Sequence, residues 1–240
     1  MIPAGQNSCA GSLLNRFYID NRVIEKDPLH VWIVGWGSAP TMPGMSEPVA
    51  LGSGWVRVEY HAFHLADAGQ YDPPPFRPYN GLIFSRPGLA VVLVGANSGV
   101  VRMTAEVYEH PVVCLDTEGW DEVVDHSVGS LSGHMRVAPL MDDPPDLPLL
   151  TRFGPGHYRV RVHARGRDRA HDAHVSEPLE DYLLQIWPRQ HEPDLVHKQS
   201  DQCGETRRRD ALNQPQETPP PPPEDDWKRK ARARLHRHNN

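Results

Sequence analysis

Strict alternation of apolar and polar residues runs through most of residues 54–188, and it limits the possible folds more than any other feature of the chain. Successive side chains of a β-strand point to opposite faces, so alternation is typical of half-buried strands. The clearest alternating runs are 55–65, 101–108, 157–164 and 182–187. Leu89–Val94 is continuously apolar, which predicts a central strand covered on both faces.

Turn residues separate these runs, as at Asn80-Gly81, Pro87-Gly88 and Ser132-Gly133. Shorter strands are expected at 81–86, 120–128 and 134–140, and no part of the region keeps the spacing of an amphipathic helix. The sum is about seven or eight short strands. This pattern predicts an all-β domain, either an antiparallel β-sandwich or a jelly-roll-like domain.

Composition divides the chain into three parts. Residues 45–188 form the predicted β-domain. Residues 189–240 lose the apolar periodicity and include the pentaproline Pro219–Pro223, which predicts a disordered, Pro-rich and basic tail. Residues 1–44 are an N-terminal extension with two open interpretations. Either the functional product starts at Met45, or the apolar cluster 30–36 adds a strand to the main sheet.

Charge is distributed unevenly along the 240 residues. The whole chain has 25 Lys/Arg and 31 Asp/Glu, a net charge of −6, which argues against a purely electrostatic nucleic-acid binder. Residues 45–188 carry 11 of these basic and 19 of these acidic residues, a net charge of −8. All four lysines lie outside this segment, so its only cations are Arg and His.

Several classes of protein are not expected. The three cysteines (Cys9, Cys114 and Cys203) lie far apart and in no metal-ligand spacing, which excludes a disulfide framework and a zinc module. No apolar run approaches the roughly 20 residues of a membrane helix. Residues 1–10 lack the features of a secretory signal. We therefore expect a cytoplasmic protein without a membrane span.

Two groups of residues contain metal-ligand side chains. His61 and His64 lie near Asp67, but a strand would point the two imidazoles to opposite faces. The loop 168–177 is denser, with Asp168, His171, Asp172, His174 and Glu177. A metal site usually takes ligands from several fixed elements, so we favour a solvated loop and expect no metal.

No motif indicates an enzyme. Cys114 lies in an apolar run, where a thiol is usually buried and inert. No serine stands in a Gly-x-Ser-x-Gly turn, and no glycine-rich phosphate-binding motif is present. No cofactor is expected. The stretch Trp227–His238 places six Lys/Arg after an aromatic residue and could contact RNA, DNA or an anionic membrane, although short basic termini are common without such a role.

A row of cations is the best functional lead in the sequence. Alternation places His157, Arg159, Arg161, His163 and Arg165 on one face of one predicted strand. Like charges in a row repel, so carboxylates must lie nearby, either on neighbouring strands (Glu106 or Glu122) or on a partner. Arginine-rich patches also serve interfaces. We take Arg159, Arg161, His163 and Arg165 as the candidate partner-binding residues.

The order of features in 54–188 supports a family resemblance. These features are an opening strand with Tyr60, Phe63, Leu65 and Asp67, the apolar strand Ala90–Gly95, the strand start Gly156–Arg159, and the closing strand Tyr182–Trp187. This order resembles the competence protein J family, small cytoplasmic all-β proteins that inhibit a DNA-entry nuclease. The His-rich continuation after Ala164–Asp168 departs from that family, so no functional residues are transferred. The resemblance implies a binding or inhibitor role.

We therefore predict a non-enzymatic protein-binding module that acts as an inhibitor or immunity-like factor on an acidic-surfaced protein. One alternative is a small metal-dependent hydrolase that uses the 168–177 loop. The other is a nucleic-acid-binding adaptor that uses the basic tail.

Overall fold

The computed structural model describes residues 47–70 and 72–213 in full, together with the backbone of three strands within residues 16–32. These three strands pair antiparallel with one another, in chain order. They are Arg16–Ile19 (β1), Arg22–Asp27 (β2) and His30–Trp32 (β3). A strand therefore begins at His30, but its described partner is β2 rather than the main sheet.

The main sheet has eleven strands, and one helix follows the last of them. The strands are Ala50–Glu59 (β4), Ala62–Ala66 (β5), Ile83–Arg86 (β6), Leu89–Leu93 (β7), Ser98–Val107 (β8), Glu122–Ser130 (β9), Arg136–Ala138 (β10), Gly156–Arg165 (β11), His174–Val175 (β12), Asp181–Pro188 (β13) and Leu195–Gln199 (β14). The helix is Gln202–Asn213 (α1).

The all-β prediction is confirmed, but the predicted arrangement of strands differs from the observed one. The strand order is β14-β9-β11-β13-β8-β4-β5-β7-β6, with β10 beside β5 and β12 beside β8. This is one curled sheet shaped like a half-barrel, not the two stacked sheets of a sandwich or jelly roll. It is also mixed, because β12 and β13 both run parallel to β8.

The core follows the predicted alternation. Val56 and Val58 of β4 and Met103 of β8 are fully buried on the inner face of the sheet. Leu147 and Leu150, from the long loop before β11, join the same cluster. All five residues of β7 are buried, as the continuous apolar run predicts, because a second small cluster packs on its other face.

The prediction of a disordered tail from residue 189 is wrong for residues 195–213, which form β14 and α1. Asp201 stands at the N-terminus of α1, where its carboxylate accepts the N–H of Gly204 at 2.7 Å. The same carboxylate binds the guanidinium of Arg167 through contacts of 2.6 and 2.8 Å, and Arg167 is 0% exposed. A Cβ at position 204 would lie within 2.8 Å of polar side-chain atoms of Arg167, Asp201 and Glu122, so any larger residue would have to displace these groups.

Apolar periodicity misses this segment because polar contacts hold it. Arg208 of α1 contacts the fully buried Glu122 of β9 at 2.9 Å. Asp194, ahead of β14, accepts hydrogen bonds from Asn80 and pairs with His126, each at 2.6 Å. The pentaproline and the basic stretch 227–238 lie outside the described residues.

Helix α1 has 12 residues, and no helix in the described part of the chain is long and apolar enough to cross a membrane.

Candidate functional site

The predicted cation row lies on β11 as expected, but most of it is buried. Arg159 is 3% exposed, Arg161 6% and His163 1%. The segment before β9 and the segment that leads into β14 cover this part of the sheet. These three residues are therefore not open to a partner, which corrects the prediction that they bind one.

The chain satisfies the buried cations itself. Arg161 binds both oxygens of Asp125 on neighbouring β9, at 2.7 and 3.1 Å, and donates to the carbonyl of Cys114 at 3.1 Å. Burial favours the neutral form of Asp125, but His197 and Arg161 prevail and lower its pKa to about 2. The neutralising carboxylate is thus on the same sheet, although it is Asp125 rather than Glu106 or Glu122.

Arg159 and His163 have neutral partners. Arg159 donates to the Ser127 hydroxyl and to the carbonyls of Glu192 and Pro193, at 2.8–3.0 Å. His163 lies 5.2 Å from the ring of Trp120, and burial lowers its pKa to about 4. The imidazole is neutral near pH 7, so only two of these three side chains carry charge.

Arg165 remains exposed, and it belongs to a row that crosses four strands. The register places Trp55 of β4 opposite Arg102 of β8, Arg102 beside Asp181 of β13, and Asp181 opposite Arg165 of β11. Asp181 pairs with both arginines, with Arg165 Nε at 2.8 Å. Arg165 in turn lies over the ring of Trp120, 5.1 Å from its centroid. We call these five residues the outer row.

Two further rows continue the same side of the sheet towards the start of β4. In the next row the hydroxyls of Ser53 and Thr104 lie 2.9 Å apart, beside Leu183. The third row consists of Leu51, Glu106 and Gln185, in which Gln185 donates to Glu106 at 2.9 Å. We call the three rows together the outer face.

The outer face exposes several large side chains. Trp55 is 62% exposed and Leu51 is 52% exposed, while the side chains of Arg102 and Arg165 are about half exposed. Tryptophan and arginine carry a large share of the energy of protein interfaces.

The side chains of the loop 168–177 contact two different parts of the structure. Asp168 accepts the N–H groups of Gln202 and Cys203 at 2.9 Å each and so caps α1. Asp172 lies 3.2 Å from His61, and the rings of His61 and His171 are 6.1 Å apart. The sequence presents His61 and this loop as separate candidates, because they meet only through tertiary contacts such as the hydrogen bond from the N–H of Asp172 to the carbonyl of Gly95.

Three other residues that the sequence suggests as metal ligands are His174, His64 and Asp67. His174 lies 3.0 Å from the Ser98 hydroxyl, and burial lowers the pKa of His64. Asp67 is buried and accepts the Ser130 hydroxyl at 2.7 Å, which fixes the turn after β9. Within residues 47–70 and 72–213, no three His, Cys, Asp or Glu side chains are grouped so that they could hold a metal ion.

Sequence reasoning missed Trp55, Arg102, Asp181 and Trp120. Alternation already assigns Trp55 and Arg102 to the polar sides of their strands. A tryptophan on the polar side of a strand is a sequence signal for a functional residue. Their alignment depends on the register between β4, β8 and β13, which one sequence does not contain.

Comparisons with known proteins give little further information. No family model and no curated protein matches the chain. One solved structure, described as crocagin biosynthetic gene J, is similar at 12% identity with a TM-score of 0.38. The alignment covers 58% of this chain and 97% of that one. Similarity at this level supports no conclusion about function.

Proposed function

We propose that this chain is a non-enzymatic, cytoplasmic protein-binding module whose contact surface is the outer face. A module that covers an essential surface of its partner acts as an inhibitor or an immunity-like factor. Of the four residues predicted from sequence to bind a partner, the proposal keeps Arg165 and adds Trp55 and Arg102.

The exposure of Trp55 is the observation that carries this proposal. Trp55 lies inside a ten-residue strand, not at a loop tip, and is 62% exposed while its neighbour Val56 is fully buried. A large aromatic ring gains free energy when it leaves water, and exposed apolar patches mark interaction sites. Leu51 on the same strand and Val49, just before its start, are also exposed apolar residues.

The arginines of the outer row determine the kind of partner. Asp181 is the one carboxylate shared between Arg102 and Arg165, so the row has an excess of positive charge. Complementary charge across an interface raises the association rate and excludes wrong partners. We therefore propose a partner with an acidic surface, as the sequence also suggests.

Affinity capture with three forms of the chain tests the proposal. Wild type, Trp55→Ala and Leu212→Ala are used as bait, because Leu212 is also exposed, at 76%, but lies on α1. We expect at least one protein that wild type and Leu212→Ala retain equally and that Trp55→Ala loses. Titration of that purified protein should show an affinity loss of about 2 kcal/mol for Trp55→Ala. Equal capture by all three forms would contradict the proposal.

A further inference from the structure

Strand β4 is paired along its full length on one edge only. Its residues 50–59 pair one by one with β8, whereas its pairing with β5 is confined to Glu59 and Ala62. Within residues 47–70 and 72–213, no hydrogen bond reaches the backbone of residues 51–57 from the other side. This free edge lies beside the outer face, and the inference drawn from it rests on the proposed function.

The direction of the free backbone groups follows from the pairing of β8. The N–H of Arg102 donates to the carbonyl of Glu180 at the start of β13, so even-numbered residues of β8 face β13 and odd-numbered residues face β4. The register pairs those odd-numbered residues with even-numbered residues of β4. The residues of β4 whose N–H and C=O groups point to the free edge are therefore Leu51, Ser53, Trp55 and Arg57.

The surroundings of the edge offer room and positive charge. Gly54 has no atom within 4 Å of the position a Cβ would take, so space is open on the inner side there, whereas at Gly52 Pro148 lies 2.7 Å from that position and covers the strand. Arg57 is half exposed and has a contact of 3.9 Å to Glu59. The exposed Arg152 donates to the carbonyl of Val49, just ahead of the strand, at 2.9 Å. Two arginines, Arg57 and Arg152, therefore stand at this edge against one carboxylate, Glu59.

We propose that the free edge of β4 binds an extended segment of the partner as an additional β-strand, with acidic side chains on the outer face and apolar side chains on the inner side. Backbone hydrogen bonds supply affinity in this mode of recognition, and alternate side chains supply specificity. A second copy of β4 would bring the same arginines to the edge, so an acidic segment is the better complement.

A defined peptide tests the inference on the full chain. The probe is a fluorescein-labelled nonapeptide of alternating Val and Glu, and its binding is followed by fluorescence anisotropy at low salt. We expect Ser53→Pro to weaken binding at least 10-fold, because proline removes an N–H that points to the free edge and takes no part in the ladder with β8. Ser53→Ala is the matched comparison, since it loses the same hydroxyl but keeps the N–H, and Ser53→Pro should bind the peptide at least 10-fold more weakly than Ser53→Ala.

Charge and hydrogen exchange supply two further readouts. A peptide of alternating Val and Lys should bind at least 10-fold more weakly than the Val–Glu peptide. The amides of Ser53, Trp55 and Arg57 should exchange quickly in the free chain and slowly in the presence of the Val–Glu peptide. This second measurement uses wild-type protein, so it decides the question even where Ser53→Pro does not fold.

Several results would overturn the inference. These are the absence of both binding and slowed exchange with the Val–Glu peptide, equal binding of the two peptides, or equal binding by Ser53→Pro and Ser53→Ala. Edge amides already protected in the free chain would mean that a segment of this chain occupies the edge. Failure of this inference can be distinguished from failure of the proposed function. If Trp55→Ala loses the captured partner and Ser53→Pro keeps it, the outer face binds without strand addition.

Discussion

Arg167 is the largest of the fully buried side chains, and its charge is matched within the protein by Asp201. Its guanidinium also donates to the carbonyl of Gly81 at 3.1 Å. A buried charge is costly unless it is paired and hydrogen-bonded. This pair joins the loop after β11 to the start of α1, so two distant parts of the chain depend on one contact.

Removal of this guanidinium should strongly destabilise the fold. We expect Arg167→Met to lower the free energy of unfolding by about 3–5 kcal/mol, because Asp201 would remain buried without its partner. Urea denaturation measures the effect. Arg165→Met is the control, since an exposed ion pair contributes about 0–1 kcal/mol. Equal losses in the two variants would contradict this account.

Glu122 makes the free energy of unfolding depend on pH, and the direction of this dependence follows from its pKa. Burial raises the pKa of Glu122 from 4.5 to about 7, against the opposing charges of Arg208 and Arg167. Between these two pH values the unfolded chain releases the proton while the folded chain keeps it. This side chain therefore lowers the stability as the pH rises from 4.5 to 7.

Glu122→Gln tests this pH dependence. Over the same pH range, we expect the variant to gain stability relative to wild type as the pH rises, because its amide does not titrate. Urea midpoints at several pH values measure the difference. A difference between the two proteins that does not change with pH would contradict the assignment.

The hairpin between β4 and β5 has an uncommon turn. Tyr60 and His61 both have positive φ, at 52° and 61°, a conformation that favours Asn and Gly in a two-residue hairpin turn. Replacement by Tyr60→Asn and His61→Gly should raise the free energy of unfolding by about 1 kcal/mol. Thermal and urea denaturation measure this gain. A net loss would show that the His61–Asp172 contact holds the turn more strongly than an exposed pair normally does.

The strands themselves are largely predictable from sequence, because burial on one face imposes period two. The alternating run 157–164 is β11, and the run 101–108 is β8. The neighbours of a strand are not predictable in this way. Alternation fixes which face of β13 is buried, but it does not show that β13 lies parallel to β8 rather than in an antiparallel hairpin.

At the scale of the whole molecule, the C-terminal segment belongs to the fold. Its contacts are ion pairs and carbonyl hydrogen bonds, such as Asp201 to Arg167 and Glu192 to Arg159. Hydrophobic periodicity does not detect such contacts, and so the sequence predicts disorder there. The same segment covers Arg159, one of the arginines that the sequence assigns to a partner. The outer row, which joins four strands, is likewise visible only in the assembled sheet.

A chain that ends at Pro188 should therefore fold poorly. It would leave Arg167 without Asp201 and Glu122 without Arg208, so we expect a loss of at least about 3 kcal/mol or a molten state. Near-UV circular dichroism and urea denaturation measure the loss. Cooperative unfolding at the midpoint of the full chain would show that β14 and α1 add nothing to the stability of the sheet.

The central claim is that the outer face around Trp55 contacts a partner protein. Photo-crosslinking in cells that naturally make the chain tests it most directly, with benzoylphenylalanine placed at position 55 and, as the control, at position 212. We expect an ultraviolet-dependent adduct with one protein species from position 55 and none from position 212. No adduct at position 55, or the same adducts at both positions, would contradict the claim.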